Sequence, residues 1–160
     1  TRLEDFMNGT DIRDRHRSLR FSGKSNESLI VSFEPEQGQC LYVIRPQDSA
    51  IRLLPSMMKE ASHLSALERI STQPSSGLFL QEIGSNYPED WCTYYQQADL
   101  ARQTGDWAQV VKLWNDARAK GFTPDVPFEY LPFLEAFVRL GDWDQAVSLT
   151  LEVKDSPPAA

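Results

Sequence analysis

Apolar positions follow a strand-like pattern near residue 40 and a helix-like pattern later in the chain. Runs of β-branched and aromatic residues occupy 29–33 and 41–44, and Glu-Pro-Glu-Gln-Gly lies between them. Such runs bounded by turn residues predict a β-hairpin. Residues 77–83 predict a third strand. A stripe of apolar residues at spacings of three and four, from Met57 to Ile70, predicts a helix that begins after Pro55.

Beyond residue 90 the apolar spacing is helical throughout. It predicts four helices, over 91–104, 107–120, 128–140 and 142–153. Asp90 is placed to cap the first helix, and Gly105 to end it in the left-handed conformation. Gly121 with Pro124 ends the second helix, and Gly141 ends the third. The pattern therefore predicts two helical hairpins.

One nine-residue sequence motif occurs twice in this helical region. Gly-Asp-Trp-Ala-Gln-Val-Val-Lys-Leu at 105–113 returns as Gly-Asp-Trp-Asp-Gln-Ala-Val-Ser-Leu at 141–149, an offset of 36 residues. A period of roughly 20–50 residues is typical of stacked supersecondary units. Trp107 and Trp143 occupy matching positions, where we expect each ring to anchor one helix of a hairpin on the other.

These elements predict an α+β fold, in which a small antiparallel-sheet unit with a helix precedes two α-hairpins. The predicted organisation is a solvated lead-in at 1–20, the α+β unit at 21–88, the hairpins at 89–155 and a tail at 156–160. Arginines at 13, 15, 17 and 20 alternate in the lead-in with Asp11, Asp14 and His16. If a membrane span preceded Thr1, these arginines would instead meet anionic headgroups.

The composition of the chain limits the classes of partner that it is expected to bind. The 160 residues carry a net charge of −7, which argues against nucleic acid as the main partner. No run approaches the roughly 20 apolar residues of a membrane helix, and the amino end lacks the order of a signal peptide. We therefore expect a membrane association only through segments outside this sequence.

Motifs for catalysis are weak. Ser22-Gly23-Lys24-Ser25 resembles the end of a phosphate-binding loop, but Ser18 stands where that loop needs glycine, so a polar turn is expected. His63 is one of only two histidines and lies in the predicted helix, where a structural role is expected. No nucleophile elbow or zinc-binding helix motif is present. The sequence predicts no catalytic residue, no metal and no cofactor.

The two cysteines, Cys40 and Cys92, leave two alternatives open. They form no Cys-x-x-Cys pair and have no nearby histidine, so the simpler interpretation is a pair of buried free thiols. A Cys40–Cys92 disulfide, which would indicate an oxidising compartment, is the alternative.

Each helical unit resembles a tetratricopeptide repeat. The matching positions are the inter-helix signature Gly105, Asp106 and Trp107, the packing positions Ala98, Trp114 and Ala117, and Pro124 near the terminal proline. The resemblance implies that the first helix of each unit lines a face for a protein or peptide. The residues it places there are Tyr95, Asp99, Arg102, Leu131, Glu135 and Val138, with Arg139 beside them. The alternative is that they pack on the amino-terminal unit.

A wider resemblance covers most of the chain. The segments that carry it are Phe-Ser-Gly at 21–23, Cys-Leu-Tyr-Val at 40–43, Leu-Leu-Pro at 53–55, Leu-Ser at 64–65 and Trp-Cys-Thr-Tyr-Tyr at 91–95, with 98–103 and 105–107. Together they are similar to the soluble carboxy-terminal region of uncharacterised bacterial polytopic membrane proteins. The membrane part of those proteins resembles lipid-linked-sugar glycosyltransferases.

This resemblance implies a non-catalytic domain of a membrane-anchored protein, held outside the cytoplasm or, alternatively, at its cytoplasmic face. Both cysteines lie in matching segments, which favours the disulfide. The rival is a carbohydrate-handling accessory domain, for which Trp91 or Trp114 would be exposed beside carboxylates in a cleft.

Overall fold

The fold is α+β, as predicted. The computed structural model describes residues 8–34, 36, 38–52, 54–70 and 89–155. Within them lie two two-stranded sheets and five α-helices. The chain forms two units, one from Thr1–Ser32 and Val43–Pro74, the other from Phe33–Tyr42 and Ser75–Ala160. Residues 33–42 therefore cluster with the helices of the second unit rather than with the strands of the first.

The first unit begins with a hairpin inside the stretch for which we expected a solvated lead-in. Strands β1 (Asp11–His16) and β2 (Leu19–Lys24) are antiparallel, with Arg13 opposite Ser22 and Arg15 opposite Arg20. Both strands are largely exposed, and six of their twelve residues are charged, at positions 11, 13, 14, 15, 20 and 24. Because a strand with little buried surface has no apolar alternation, the hydrophobic pattern did not reveal it.

The two strands predicted near residue 40 are shorter than expected. β3 is Val31–Ser32 and β4 is Tyr42–Val43. The intervening residues 33–41 lie outside the ladder and cluster with the second unit. The third predicted strand, at 77–83, falls outside the described residues.

The helix predicted after Pro55 is interrupted. Helix α1 covers Ser56–Ala61, and 3₁₀ turns follow at Ser62–Leu64 and Leu67–Arg69. Ser62 Oγ donates to the Lys59 carbonyl at 2.7 Å, and Ser65 Oγ accepts the Ile30 amide at 3.1 Å. Serine side chains that bond backbone groups compete with the helix, which explains why the apolar stripe does not continue as one helix.

The second unit contains four helices, close to the predicted spans. They are α2 (Trp91–Thr104), α3 (Trp107–Ala119), α4 (Leu131–Leu140) and α5 (Trp143–Asp155), with a 3₁₀ turn at Pro127–Tyr130 before α4. Asp90 accepts the Thr93 amide at 2.9 Å, which confirms the predicted cap. Gly105 has φ 76° and Gly141 has φ 75°, the left-handed conformation predicted for both helix ends.

An aromatic cluster forms the core between these helices. The ring of Trp114 lies edge-on to Trp91 at 6.1 Å and 4.8 Å from Phe133. The prediction that the matching tryptophans are both core anchors is wrong for Trp143, which is exposed, whereas Trp107 is half-buried. Within the described residues α4 follows α3, but no helix follows α5, so the surface that is covered at Trp107 is open at Trp143.

Candidate interaction site

The face predicted to bind a peptide is occupied by the chain itself. Tyr95, Asp99 and Arg102 are all buried. Arg102 Nη2 donates to the hydroxyl of Tyr42 at 3.2 Å, and the guanidinium carbon lies 5.2 Å from the Tyr42 ring centroid. Tyr42 belongs to the 33–42 segment of the same unit and has no exposed surface. This segment therefore takes the place that the resemblance gives to a bound peptide.

A disulfide holds the segment against α2. Cys40 is bonded to Cys92 in the first turn of that helix, across 52 residues of sequence. Tyr42, two residues further on, packs edge-on against Phe128 with the ring centroids 4.4 Å apart. The segment is thus attached covalently at one point and by a buried aromatic contact at another.

A buried carboxylate provides a third attachment. Glu129 has no exposed surface, and its Oε1 accepts the Cys40 backbone amide at 2.7 Å. Its Oε2 accepts the Trp91 indole N–H at 2.6 Å and the Asp125 amide at 3.3 Å. Burial raises the pKa of Glu129, while these three donated hydrogen bonds oppose the increase. One side chain therefore links the segment, the start of α2 and the turn before α4.

The polar side chains of the inner face neutralise one another. Arg102 Nη2 lies 2.5 Å from Asp99 Oδ1, and its Nη1 lies 3.8 Å from Glu135 Oε2. Glu135 Oε1 is in turn 3.6 Å from Arg139 Nη2. Burial, with the nearby Asp99 charge as a second cause, raises the pKa of the Tyr95 hydroxyl well above its usual range. The network pairs its charges internally, which suits a structural role for this face.

The seven predicted binding residues thus separate into a buried and an accessible group. Tyr95, Asp99 and Arg102 are covered, and Glu135 joins them through Arg102 while remaining half-buried. Leu131, on α4, is half-buried, whereas Val138 and Arg139 on that helix are exposed. The ion pairs bring together Asp99, Arg102, Glu135 and Arg139. The spacing of three and four indicated only that the residues of each helix share one side of that helix.

Sequence reasoning missed Glu129 and Tyr42, which do most to close this face. A signal existed for Glu129, because it is the only charged residue in the otherwise apolar and aromatic run at 126–134. A carboxylate in such a run must find donors when it is buried. Tyr42 had no such signal, since a strand residue was the simplest interpretation of the run at 41–44.

The outer face of α5 is open and apolar. Trp143, Val147 and Leu151 succeed one another at four-residue spacing and are exposed by 62%, 59% and 55%. Ala146 and Leu149, on the opposite side of the helix, are buried. The spacing places the three exposed residues in one stripe along the helix, which we call the α5 stripe.

The matching position on α3 shows how such a surface is covered. Trp107 lies 36 residues before Trp143, in the first copy of the repeated sequence motif. The guanidinium carbon of Arg139 on α4 lies 5.6 Å from the Trp107 ring centroid. Helix α4 thus covers on α3 a tryptophan whose counterpart on α5 faces solvent.

The buried tryptophans do not offer a platform for sugar. Trp91 and Trp114, the rings whose exposure would have favoured carbohydrate, are both in the core. Among the described residues, no group of three or more histidine, cysteine, aspartate or glutamate side chains is placed to hold a metal ion.

Comparison with known proteins does not assign this chain to a family. No protein-family model matches the chain, and no curated protein or solved structure is significantly similar to it. In the part of the chain that the structure describes, no helix has the length and apolar character needed to cross a bilayer. The geometry of the two helical faces is therefore the main support for a function.

Proposed function

We propose that this chain is a non-catalytic protein-interaction domain that binds an amphipathic helix of a partner protein on the α5 stripe. The α5 stripe itself carries the proposal. A continuous row of exposed apolar residues along one face of a helix marks an interaction surface when the rest of the exposed helix surface is polar. Binding of a partner helix through anchors at i and i+4 is a common mode of peptide recognition.

The contact between α3 and α4 supports a helix as the occupant. Stacked helical units bury their apolar faces against the next unit. Among the described residues, no helix lies against the α5 stripe. A helix in the position that α4 takes on α3 would cover Trp143, just as Arg139 covers Trp107.

The same contact indicates the chemistry of the partner helix. It needs an apolar stripe to meet Val147 and Leu151, and an arginine or lysine to lie over the Trp143 ring. The exposed acidic side chain of Asp144, in the first turn of α5, favours a basic group there. The partner is therefore an amphipathic helix with a basic residue at the end that meets Trp143.

Membrane attachment is part of the proposal. The wider resemblance supports a domain held outside the cytoplasm by a membrane-anchored bacterial protein, with the cytoplasmic face as the alternative. The disulfide between Cys40 and Cys92 is consistent with an oxidising compartment. The carbohydrate-handling alternative has no comparable support, because both candidate tryptophans are buried.

Photo-crosslinking in the native cell tests the proposal. A photoreactive amino acid at Val147 should capture one partner, and the same group at the exposed Met57 of α1 should not. With the purified partner, Trp143→Ala should weaken binding by about 30-fold, the loss expected for an aromatic hot spot. The matched control, Met57→Ala, should leave the affinity unchanged.

Three outcomes would contradict the proposal. A crosslink from Val147 to a second copy of this chain would make the α5 stripe a self-association surface. Equal capture from both positions would show that the contact is not specific. Unchanged affinity of the Trp143→Ala variant would place the binding surface elsewhere.

A further inference from the structure

The repeated sequence motif provides a template for the way a helix lies on α5. Helices α3 and α5 begin in the two copies of the motif, 36 residues apart. In α3, Asp106 accepts the Gln109 amide at 3.1 Å. In α5, the matching Asp142 accepts the Gln145 amide at 3.2 Å. Both helices therefore start at the same point of the motif, and positions on α3, which α4 covers, can be compared with the matching positions on α5.

Helix α4 runs antiparallel to α3. Arg139, near the carboxyl end of α4, has its guanidinium carbon 5.6 Å from the ring centroid of Trp107, the first residue of α3. Phe133, six residues earlier on α4, has its ring centroid 4.8 Å from that of Trp114, further along α3. Because later residues of one helix contact earlier residues of the other, the two helices run in opposite directions.

The two contact positions on α3 have exposed counterparts on α5. Trp143 matches Trp107, and Thr150 matches Trp114. Trp143 and Thr150 lie on one side of α5, since their separation of seven residues is close to two helical turns. A helix placed as α4 is on α3 would therefore contact both. Thr150 is much smaller than Trp114 and leaves more room, so we expect the partner residue in the position of Phe133 to be at least as large.

Two differences between α3 and α5 give the α5 surface two distinct ends. Asp144 stands where α3 has Ala108, and Leu151 stands where α3 has Asn115. Both α5 side chains are exposed. Asp144 adds a negative charge at the amino end of α5, which favours a cationic side chain of the partner there. Leu151, next to Thr150, adds apolar surface towards the carboxyl end, which favours an aromatic side chain there.

We propose that the partner helix binds antiparallel to α5, with a large aromatic residue six positions before the basic residue that lies over Trp143. This inference rests on the proposed function and adds the direction of the helix and the spacing of its contact residues. The aromatic residue lies against Thr150 and Leu151. The basic residue lies at the carboxyl end of the partner helix, where the helix dipole also stabilises a positive charge.

Affinity measurements with a peptide of known sequence test the inference. The probe is a synthetic peptide with the sequence of residues 127–141, which contains Phe133 and Arg139 at the inferred spacing. It carries a fluorophore and is titrated with the full 160-residue chain, and fluorescence anisotropy reports binding. The chain should bind the peptide, and Trp143→Ala should weaken that binding about tenfold. The matched control Met57→Ala, at an exposed position of α1, should leave it unchanged.

Double-mutant cycles identify which end of the peptide meets which end of α5. The effects of Arg139→Gln in the peptide and Trp143→Ala in the chain should be non-additive by about threefold. The effects of Phe133→Ala in the peptide and Leu151→Asn in the chain should be non-additive by a similar factor. The crossed pairs should be additive. Both chain variants alter exposed side chains, so circular dichroism should show them folded.

A second peptide of the same composition tests the spacing. Exchange of Val138 and Arg139 in the peptide moves the basic side chain by one position, which is about 100° around the helix. The exchange should weaken binding about threefold, as Arg139→Gln does. It should also remove the non-additivity with Trp143→Ala, because the basic side chain no longer reaches the ring.

Reversed or absent coupling would overturn the inference. Non-additivity of Phe133→Ala with Trp143→Ala, and of Arg139→Gln with Leu151→Asn, would show a parallel helix. Absence of peptide binding, or binding that Trp143→Ala leaves unchanged, would show that the contact pattern of α4 does not fit α5. The Val147 crosslink tests the proposed function separately in the cell. Capture of a partner there, together with reversed coupling of the peptide, would refute the direction alone.

Discussion

Removal of the Cys40–Cys92 disulfide should destabilise the second unit by an amount that the sequence separation sets. The bond joins residues 52 positions apart. A cross-link over a loop of that length lowers the entropy of the unfolded chain and stabilises the folded state by ~4 kcal/mol. We therefore expect the Cys40→Ser, Cys92→Ser double variant to lose most of that free energy of unfolding.

Urea unfolding measures this loss. With a denaturant slope of ~2 kcal/mol per molar for a domain of this size, the midpoint of unfolding should fall by about 2 M. The wild-type chain with a reductant should unfold at the midpoint of the double variant. The double variant itself should show no response to the reductant.

The disulfide also determines whether the inner face opens. Without it, residues 33–42 are retained against the helices by non-covalent contacts, such as those of Glu129 with Cys40 and of Tyr42 with Phe128 and Arg102. Amide hydrogen exchange in this segment should then accelerate before the helices themselves exchange, because local opening costs less than global unfolding. The reasoning is refuted if a mass-spectrometric digest shows the bond intact in the wild-type chain and the midpoint still does not change in the double variant.

Three further predictions concern single residues. Burial raises the pKa of Glu129 above its usual value of 4.5, so the folded state holds the proton more tightly and its stability falls as pH rises through the folded pKa. Urea unfolding from about pH 4 to about pH 7 should show this fall in the free energy of unfolding. The Glu129→Gln variant should lack the part of the fall that Glu129 causes. Arg17 has φ 55° at the β1–β2 turn, so Arg17→Gly should stabilise the first unit by about 1 kcal/mol, whereas Arg13→Gly within the strand should destabilise it, as thermal unfolding would show. Trp114→Ala should cost ~4 kcal/mol of unfolding free energy, and Trp143→Ala less than about 0.5 kcal/mol, so equal losses would contradict the exposure of Trp143.

The helices of the second unit were predictable because local signals define them. Asp90 and Gly105 fix the ends of α2 through hydrogen bonds and backbone conformation that depend only on neighbouring residues. The hairpin at 11–24 was not predictable in the same way. Its strands bury little surface and are rich in charged residues, so they lack the apolar alternation by which a strand is recognised.

The candidate site was predictable only in part for a related reason. Helical spacing correctly brought Asp99 and Arg102 together, since residues three apart share a helix face. What covers that face is Tyr42, which lies 60 residues before Arg102 in sequence. No periodicity in either segment reports a contact over that distance, and the cover therefore became visible only in the structure.

The two helical faces differ in what a ligand must displace. A peptide that entered the inner face would have to remove residues 33–42, which requires breaking the Cys40–Cys92 bond and leaving Glu129 and Arg102 without their contacts to Cys40 and Tyr42. Removing a partner from a buried charged group costs several kcal/mol before the ligand makes any contact. A helix that binds the α5 stripe displaces water from exposed apolar side chains, which is favourable. For ligands of equal intrinsic complementarity, we therefore expect tighter binding on the α5 stripe than on the inner face.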